Sequence, residues 1–357
     1  EELPRGLHTL MFLRELIIRS CPRLISFPKT GLPSSLRRLL ITECRVLESL
    51  TEALMHNNSS IEILHVSHCP SLTSLSSSMG AIISSTLKYL DISYCENLES
   101  IIASAAADHE GFKIMNSSLD IIKISYCNNL KSLPDGLYNL SSLELCGCDN
   151  LKSLPEGWLA GTNLRLLEID RCKKLEALPN RAHNLTSLQN LIIGGFPSII
   201  SYFRQEGFPI KLNVLMINIP DILRPPHPSE WGLHRLSSLR VLVIDGITLD
   251  LVSFPEDGMS LPTSLTELTI TYFRNLKYLS SEFRNLTSLE ILEIDNCLNL
   301  TSFPDNGLPQ SLLKLEINEC PQLKQRYEKG SREYRRVIAQ IPSVHIDGRF
   351  IFDPEAD

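Results

Sequence analysis

The sequence predicts an α/β solenoid of about thirteen stacked strand-and-return units, and three observations carry that reading. The first is recurrence. The pattern L-x-x-L-x-I-x-x-C-x-x-L-x-x-L-P stands almost unaltered at Leu13, Leu16, Ile18, Cys21, Leu24, Phe27 and Pro28, and again at Leu164, Leu167, Ile169, Cys172, Leu175, Leu178 and Pro179. Further copies place Cys44, Cys69, Cys95, Cys127, Cys148, Cys297 and Cys320, and the frame persists where Phe196, Pro220, Ile247 and Phe273 stand instead. The second is spacing: twelve steps from Cys21 to Cys320 cover 299 residues, a mean of 24.9 per repeat, which falls among the periods of stacked repeat arrays. The third is alternation, because Leu-x-Ile has the period of two that turns both apolar residues to one side of a strand.

Each element of the unit follows from these positions. Leu-x-Ile forms a short strand with its apolar pair inward, Cys stands where the chain leaves the strand, and Leu-x-x-Leu-Pro begins an irregular return on the convex side. One such unit cannot close a core, but stacked units bury their leucine rows continuously, so stability sums over neighbours and length is no obstacle. A chain of 357 residues would otherwise suggest two domains. The expected organisation is instead one solenoid over residues 1–323 with a C-terminal cap and tail over 324–357. The repeat resembles the leucine-rich-repeat family along nearly the whole chain. That resemblance implies a horseshoe with a parallel concave sheet, whose thirteen strands at about 4.8 Å would trace an inner arc of roughly 60 Å.

Two stretches break the period. Thirty-two residues separate Cys95 from Cys127, the excess falling in 101–118, and Arg224 to Trp231 carries Pro225, Pro226 and Pro228 where a regular turn would not accept them. Beyond Cys320 the pattern stops. Gly330 to Gln340 reads as a short capping helix with Ser331 as N-cap, ended by Pro342.

Composition narrows the chemistry. With 34 Lys+Arg against 41 Asp+Glu, a net charge of −7 and 43% hydrophobic residues, the chain is neither disordered nor a basic nucleic-acid binder. No apolar run approaches the roughly 18 residues that span a bilayer, so stable membrane insertion is not expected. Nine of the ten cysteines hold one structural position, where a small thiol can donate weakly to a backbone carbonyl at the bend. Cys146 alone falls in the outward register. His65, His68 and Cys69 are spaced like metal ligands, but the strand register turns Cys69 inward and both histidines outward, which argues against zinc. Phosphate-loop, nucleophile-elbow and zinc-protease motifs are absent, and carboxylates recur along an open ribbon instead of converging in an enclosed site, so no catalysis is expected. Seven N-x-[ST] tripeptides begin at Asn57, Asn58, Asn116, Asn139, Asn184, Asn285 and Asn299; in Asn-Leu-Thr-Ser-Leu the repeat itself explains them. Six basic residues against two acidic between Lys324 and Arg336 read as the charged surface of a cap.

The open strand face is the expected binding surface. Its outward positions, the x of Leu-x-Ile and the two residues before Cys, hold ten acids against three bases. The acids are Glu43, Asp91, Glu144, Glu168, Asp170, Asp245, Glu293, Asp295, Glu316 and Glu319; the bases are Arg19, Lys123 and Arg171. Such a face repels nucleic-acid phosphates and favours a basic partner. Ile192, Met216 and Val243 make an apolar interruption in repeats eight to ten, and Tyr94 and Tyr126 share a column in which Tyr272 also stands. Apolar and tyrosine anchors among charges are what protein interfaces use.

The cysteine-bearing repeat, the Leu130–Pro134 and Leu151–Pro155 turns, the ending Cys320-Pro-Gln-Leu-Lys-Gln-Arg-Tyr and the later Ile341-Pro-Ser-Val-His-Ile-Asp347 together resemble plant intracellular immune receptors. The family is the coiled-coil type of nucleotide-binding leucine-rich-repeat disease-resistance proteins. Secreted plant ectodomains favour Asn at the bend and Gly-x-Ile-Pro after it, where this chain has Cys and Leu-Pro. The resemblance implies recognition of a pathogen effector or a modified host protein, restraint of an intramolecular nucleotide-binding domain, and a cytoplasmic setting that extends to the nucleus or a membrane surface in the full-length receptor. ADP or ATP would bind only in that full-length receptor, with no cofactor in this segment. The alternative is the substrate-recognition repeat region of an F-box ubiquitin-ligase adaptor, whose Cys-bearing repeats usually add a regular helix.

Overall fold

The computed structural model describes residues 3–4, 6–50, 60–76, 86–102, 118–134, 139–155, 163–176, 178, 185–195, 207–218, 232–247, 249–327 and 331–351. They belong to two compact units, Glu1–Leu188 and Gln189–Asp357. In the first unit seven five-residue strands, Glu15–Arg19, Arg38–Thr42, Ile63–Ser67, Tyr89–Ser93, Ile121–Ser125, Ser142–Cys146 and Leu166–Asp170, pair in parallel in chain order. In the second, Asn190–Gly194, Val214–Asn218, Val241–Asp245, Glu267–Thr271, Ile291–Asp295 and Lys314–Asn318 do the same. Every strand is the Leu-x-Ile segment of a predicted repeat, and the register sets like on like: Leu143 opposite Leu167, Leu145 opposite Ile169. Apart from the half-buried Leu16 of the first strand, those rows are buried in each unit's interior, which is where the hydrophobic stabilisation resides.

One backbone device recurs at the strand exit. The residue just before the bend adopts a left-handed conformation, with φ between 49° and 58° at Ser20, Glu43, His68, Tyr94, Tyr126, Arg171, Tyr272, Asn296 and Glu319. Each non-glycine residue there costs about 1–2 kcal/mol. The offsetting contact is a hydrogen bond to the next repeat: the Tyr94 N–H donates to the Ser125 carbonyl at 2.9 Å, and the His68 N–H to that of Ser93 at 3.0 Å. The same carbonyl accepts the thiol of its own repeat, Cys127 Sγ to Ser125 at 3.6 Å and Cys95 Sγ to Ser93 at 3.6 Å. The cysteine therefore has the bend role expected of it. Cys95 is pushed up to about 12 by its hydrogen bond with Cys127 and, against an opposing contact from Cys69, by burial, so the thiol stays protonated at neutral pH. Three residues on, a buried leucine N–H returns to the cysteine carbonyl at 3.1–3.2 Å, closing the turn into the convex side.

The convex return is irregular, as predicted. Among the described residues it holds two short parallel strand pairs, Ser74–Ser76 with Ser100–Ile102 and Ser253–Phe254 with Tyr278–Leu279, and 3-10 turns such as Ser281–Asn285. The α-helices described are Pro321–Arg326 and Arg332–Val337. The second is the predicted cap, with Ser331 Oγ accepting the Tyr334 N–H at 3.0 Å. The first was not foreseen: Cys320-Pro-Gln-Leu imitates the ordinary Cys-x-x-Leu return, but Pro321 at the opening position is preorganised for helix.

The strand count also needs correction. Beyond the thirteen repeat strands, Ser343–Ile346 pairs in parallel with Lys314–Asn318, and Arg349–Phe350 folds back antiparallel upon it. Val344 and Ile346 turn inward in the repeat's own alternation, and Asp347 and Gly348, at φ 48° and 72°, form the two-residue turn into Arg349–Phe350. The tail thus continues the sheet. Residues 103–117 of the expected excursion, the 224–231 stretch, Asn57, Asn58, Asn116 and Asn184 lie outside the described residues.

Phe273 shows how the frame tolerates a larger residue than cysteine. Its ring is fully buried, and a Cβ on Gly246 of the preceding repeat would lie 2.3 Å from ring atom Cδ2. Gly246→Ala is expected to destabilise the protein by about 1–3 kcal/mol through overpacking. Combined with Phe273→Leu, the joint cost in urea unfolding should be smaller than the sum of the single costs; strict additivity would show that the ring and Gly246 are not coupled.

Candidate functional site

In the first unit the register brings Tyr94, Lys123, Tyr126, Glu144, Glu168, Asp170 and Arg171 onto one face. Lys123, Glu144 and Glu168 occupy the central outward position of three adjacent strands and stand opposite one another. Tyr94 and Tyr126 project from left-handed exits, so their rings rise beside the sheet. They stack at 4.9 Å with 13° between ring planes, and His68 extends the stack to Tyr94 at 4.6 Å and 17°. The next exit is Gly147, where a Cβ would come within 2.9 Å of Tyr126 Cδ1. Arg171, two repeats from Tyr126, donates from Nη1 to its hydroxyl at 3.4 Å. The result is one ladder: His68, Tyr94, Tyr126, and Arg171 beyond the glycine.

Charges on this face are more balanced than the sequence count implies. His65 pairs with Asp91 at 3.1 Å, Lys123 with Glu144 at 2.8 Å, and Arg171 Nε with Asp170 at 3.4 Å. The first residue of each strand also faces outward, a column that the sequence reading omitted. It adds the acids Glu15 and Glu267 and the bases Arg38 and Lys314, which leaves the acidic excess of seven unchanged but supplies local neutralisation. Arg38 pairs with Glu15 at 3.2 Å and Lys314 with Glu316 at 2.7 Å. The period-two alternation was the signal that could have found this column.

Glu168 is different. Among the described residues no cation pairs with it. Burial, then the neighbouring carboxylates of Glu144 and Asp170, raise its pKa above the ordinary carboxylate value, with Lys123 opposing. Burial likewise raises Asp170, against the pull of Arg171, and its Oδ1 is buried with no hydrogen-bond partner. Cys146, half-buried, directs its thiol to Asp170 Oδ2 at 4.0 Å, and burial followed by that carboxylate raises the thiol pKa.

The second unit has another character. Ile192, Met216 and Val243 lie in register on adjacent strands, with Val214 and Val241 beside the last two. All five are half-buried, forming one apolar patch wider than the sequence suggested. Asp245 is partly committed to the backbone, its Oδ1 accepting the Ile247 N–H at 3.0 Å. Glu293 accepts from Thr269 Oγ1 at 3.3 Å, and Asp295 and Glu316 continue outward along the same strands. Tyr272 is 41% exposed and, among the described residues, stands without a ring partner.

No three His, Cys, Asp or Glu side chains among the described residues converge as metal ligands, and no described helix is long and apolar enough to cross a membrane. In the tail, Lys324 pairs with Asp347 and Arg336 donates to the Asp305 carbonyl at 2.7 Å, so these bases serve the cap.

Residues 50–195 match the family model for RPS2-like plant disease resistance proteins, leucine-rich repeats. The chain is 35% identical to the putative disease resistance protein At3g14460 of Arabidopsis thaliana over 359 residues, covering 97% of this chain and 23% of that protein. It is 32% identical to the Arabidopsis thaliana disease resistance protein RPS6 over 145 residues, covering 40% of this chain and 11% of that one. The chain thus spans about a quarter or less of the length of these relatives. Among solved structures, a leucine-rich-repeat protein of Leptospira interrogans aligns over 97% of this chain and 92% of its own, with 17% identity and a TM-score of 0.43; nothing further rests on that likeness.

Between the ordinary carboxylate pKa and the raised value of Glu168, the folded chain holds a proton that the unfolded chain has released. The fold therefore loses stability as pH rises through that window. Glu168→Gln should melt higher than the unsubstituted chain at pH 7, by about 1 °C given that roughly 1 kcal/mol moves a chain of this size by about 1–2 °C. The gap should close toward pH 4 in thermal melts. A gap of equal size at both pH values would refute the assignment.

Proposed function

The chain is a leucine-rich-repeat region of the plant disease-resistance kind, and we propose that within a longer receptor it recognises a pathogen effector or an effector-modified host protein through its strand face. The observation that carries this reading is the first unit's outward array. A preordered ladder of His68, Tyr94 and Tyr126 stands beside Glu168, with which no described cation pairs, and beside Asp170, which shares Arg171 with Tyr126, an arrangement suited to capturing protein. Large aromatic groups ringed by charge supply most of the energy in protein interfaces, and the acidic end selects for a basic partner while repelling phosphate.

The same segment restrains a nucleotide-binding domain that exchanges ADP for ATP elsewhere in the receptor, in the cytoplasm. For recognition to release that switch, partner and switch domain must prefer different states of the receptor, since a ligand moves an equilibrium only by its differential affinity. Driving the switch from 1:99 to 99:1 takes a preference of about 5.5 kcal/mol. A few desolvated anchors of the kind on this face can supply that, whereas exposed ion pairs worth about 0–1 kcal/mol each cannot.

The test is the longer receptor in leaf tissue, carrying Glu168→Lys with Asp170→Lys, or Met216→Asp. These outward substitutions should leave accumulation and the circular dichroism of the isolated chain unchanged. Loss of the pathogen-triggered cell-death response by at least tenfold assigns the face to recognition; cell death without pathogen assigns it to restraint. Responses identical to the unsubstituted receptor for all variants would remove the face from both tasks.

A further inference from the structure

We propose that repeats three to seven of the first unit form a trough that holds a single extended peptide, lying across the strands, with one of its Arg or Lys side chains seated at Glu168 and Asp170. The inference rests on the protein-recognition reading above and narrows it from a surface to a binding mode.

The trough has a floor, two walls and one closed end. Its floor is the last position of successive strands, Ser67, Ser93, Ser125 and Cys146, which are opposite one another in register. All are small. Ser67 is 6% exposed and the others are half-buried, although they face outward, because taller neighbours flank them on both sides. One wall is the His68, Tyr94 and Tyr126 ladder, continued by Arg171. The other is the central outward column, where His65 Nδ1 lies 3.1 Å from Asp91 Oδ2 and Lys123 pairs with Glu144 at 2.8 Å. Both walls are therefore held before anything binds, which lowers the ordering cost of association.

Dimensions select the occupant. The central column stands two strand residues from the floor, about 7 Å at roughly 3.3 Å per residue, and the rings rise from the bend residue just beyond it, so the gap between the walls stays below about 10 Å, which admits one extended chain but not a helix of roughly 10–12 Å with its side chains. Five strands at about 4.8 Å give a length of roughly 19 Å, room for about six extended residues. The sheet's backbone groups beneath are already paired, so the peptide adds no strand. The Ser93 and Ser125 hydroxyls make no hydrogen bond to the described residues and are available to its amides.

The closed end sets the charge. At repeat seven the floor residue changes from a small polar group to Asp170, and the wall residue is Glu168. Among the described residues the cation beside them is Arg171, which Tyr126 and Asp170 Oδ2 share, so the acidic charge left unpaired at this end is that of Glu168. A guanidinium or ammonium group fits that site, and a phosphorylated peptide does not. A neutral glycan is disfavoured for another reason: sugars stack on ring faces, and here the ring faces are taken up by one another at 4.6 and 4.9 Å, leaving edges toward the trough.

The experiment selects displayed random nonapeptides on the full 357-residue chain, then measures their affinities by fluorescence polarisation. The selected peptides should share an Arg or Lys at one fixed position. Ser125→Trp, which fills the floor, should weaken them at least tenfold, and Ser93→Trp provides the same test should the first variant unfold. Glu168→Gln with Asp170→Asn should weaken them about tenfold and erase the penalty for replacing the peptide's cation by Gln. Ile25→Ser, exposed in the first repeat and outside the trough, should change nothing. The proposal is overturned by selection of no peptides, by a consensus lacking the cation, by indifference to both tryptophan substitutions, or by neutral oligosaccharides binding with the same sensitivity to Ser125→Trp. Because the readout is peptide affinity in solution, these outcomes are separate from whether any immune response depends on the face.

Discussion

The strand-terminal carbonyl is the contact on which the rest of each unit depends. At Thr42, Ser67, Ser93, Ser125, Cys146, Asp170, Asp295 and Asn318 this one oxygen accepts the N–H of the preceding repeat's left-handed residue and the thiol of its own repeat's cysteine. A carbonyl has two lone pairs, and at the strand exit there is no further ladder partner to use the second. A cysteine two residues on meets that need within a space that a larger residue would overfill. The bond also fixes which residue opposes which, because a slip by one position would turn every leucine to solvent.

From that fixed register the functional face follows. Side chains at equivalent positions are superposed at the strand spacing, so whatever chemistry one repeat presents is set directly against that of the next. Three ring-bearing residues at consecutive exits must therefore stack, and a Lys beside a Glu must pair. The same spacing explains the acidic end. Glu144, Glu168 and Asp170 lie on neighbouring strands with too few cations between them, and burial against the sheet raises the two carboxyls that lack full compensation. The acidic character of this end is thus produced by what the stack leaves unpaired, more than by the net charge of the chain.

Much of this was legible in the sequence. Leu-x-Ile periodicity located every repeat strand, the cysteine position told where the chain bends, and Ser331 announced its helix, because each of these signals is local and repeats or has a specific capping chemistry. Other features were not readable. Glu43, His68, Tyr94, Tyr126 and Arg171 occupy left-handed backbone that composition would assign to glycine or asparagine; a long-range hydrogen bond dictates their conformation, and no local preference betrays it. The contact of Arg171 with Tyr126 spans 45 residues and depends on Gly147 having no side chain, so it emerges only when three repeats are superposed. The strand at Ser343–Ile346 escaped notice because a proline precedes it and the chain leaves it through the Asp347–Gly348 hairpin turn, without a cysteine bend.

Frame and face are nearly independent, and the two exceptions are informative. Outward residues such as Glu168, Ile192 and Met216 touch neither the leucine rows nor the strand-exit bonds, so their identity can change at a cost of about 0.5 kcal/mol or less, as is usual for surface positions. At Gly246 and Gly147 that independence ends. Gly246 makes room for a buried ring that replaces the bend cysteine, coupling two frames. Gly147, at φ 64°, makes room for the Tyr126 ring, coupling the frame of repeat six to the wall of the face. A side chain at Gly147 would displace Tyr126 from its place against Arg171, leaving Asp170 as the guanidinium's remaining contact of the two. The place of the Tyr126 ring in this wall is therefore set by the absence of one methyl group, on a residue that carries no charge.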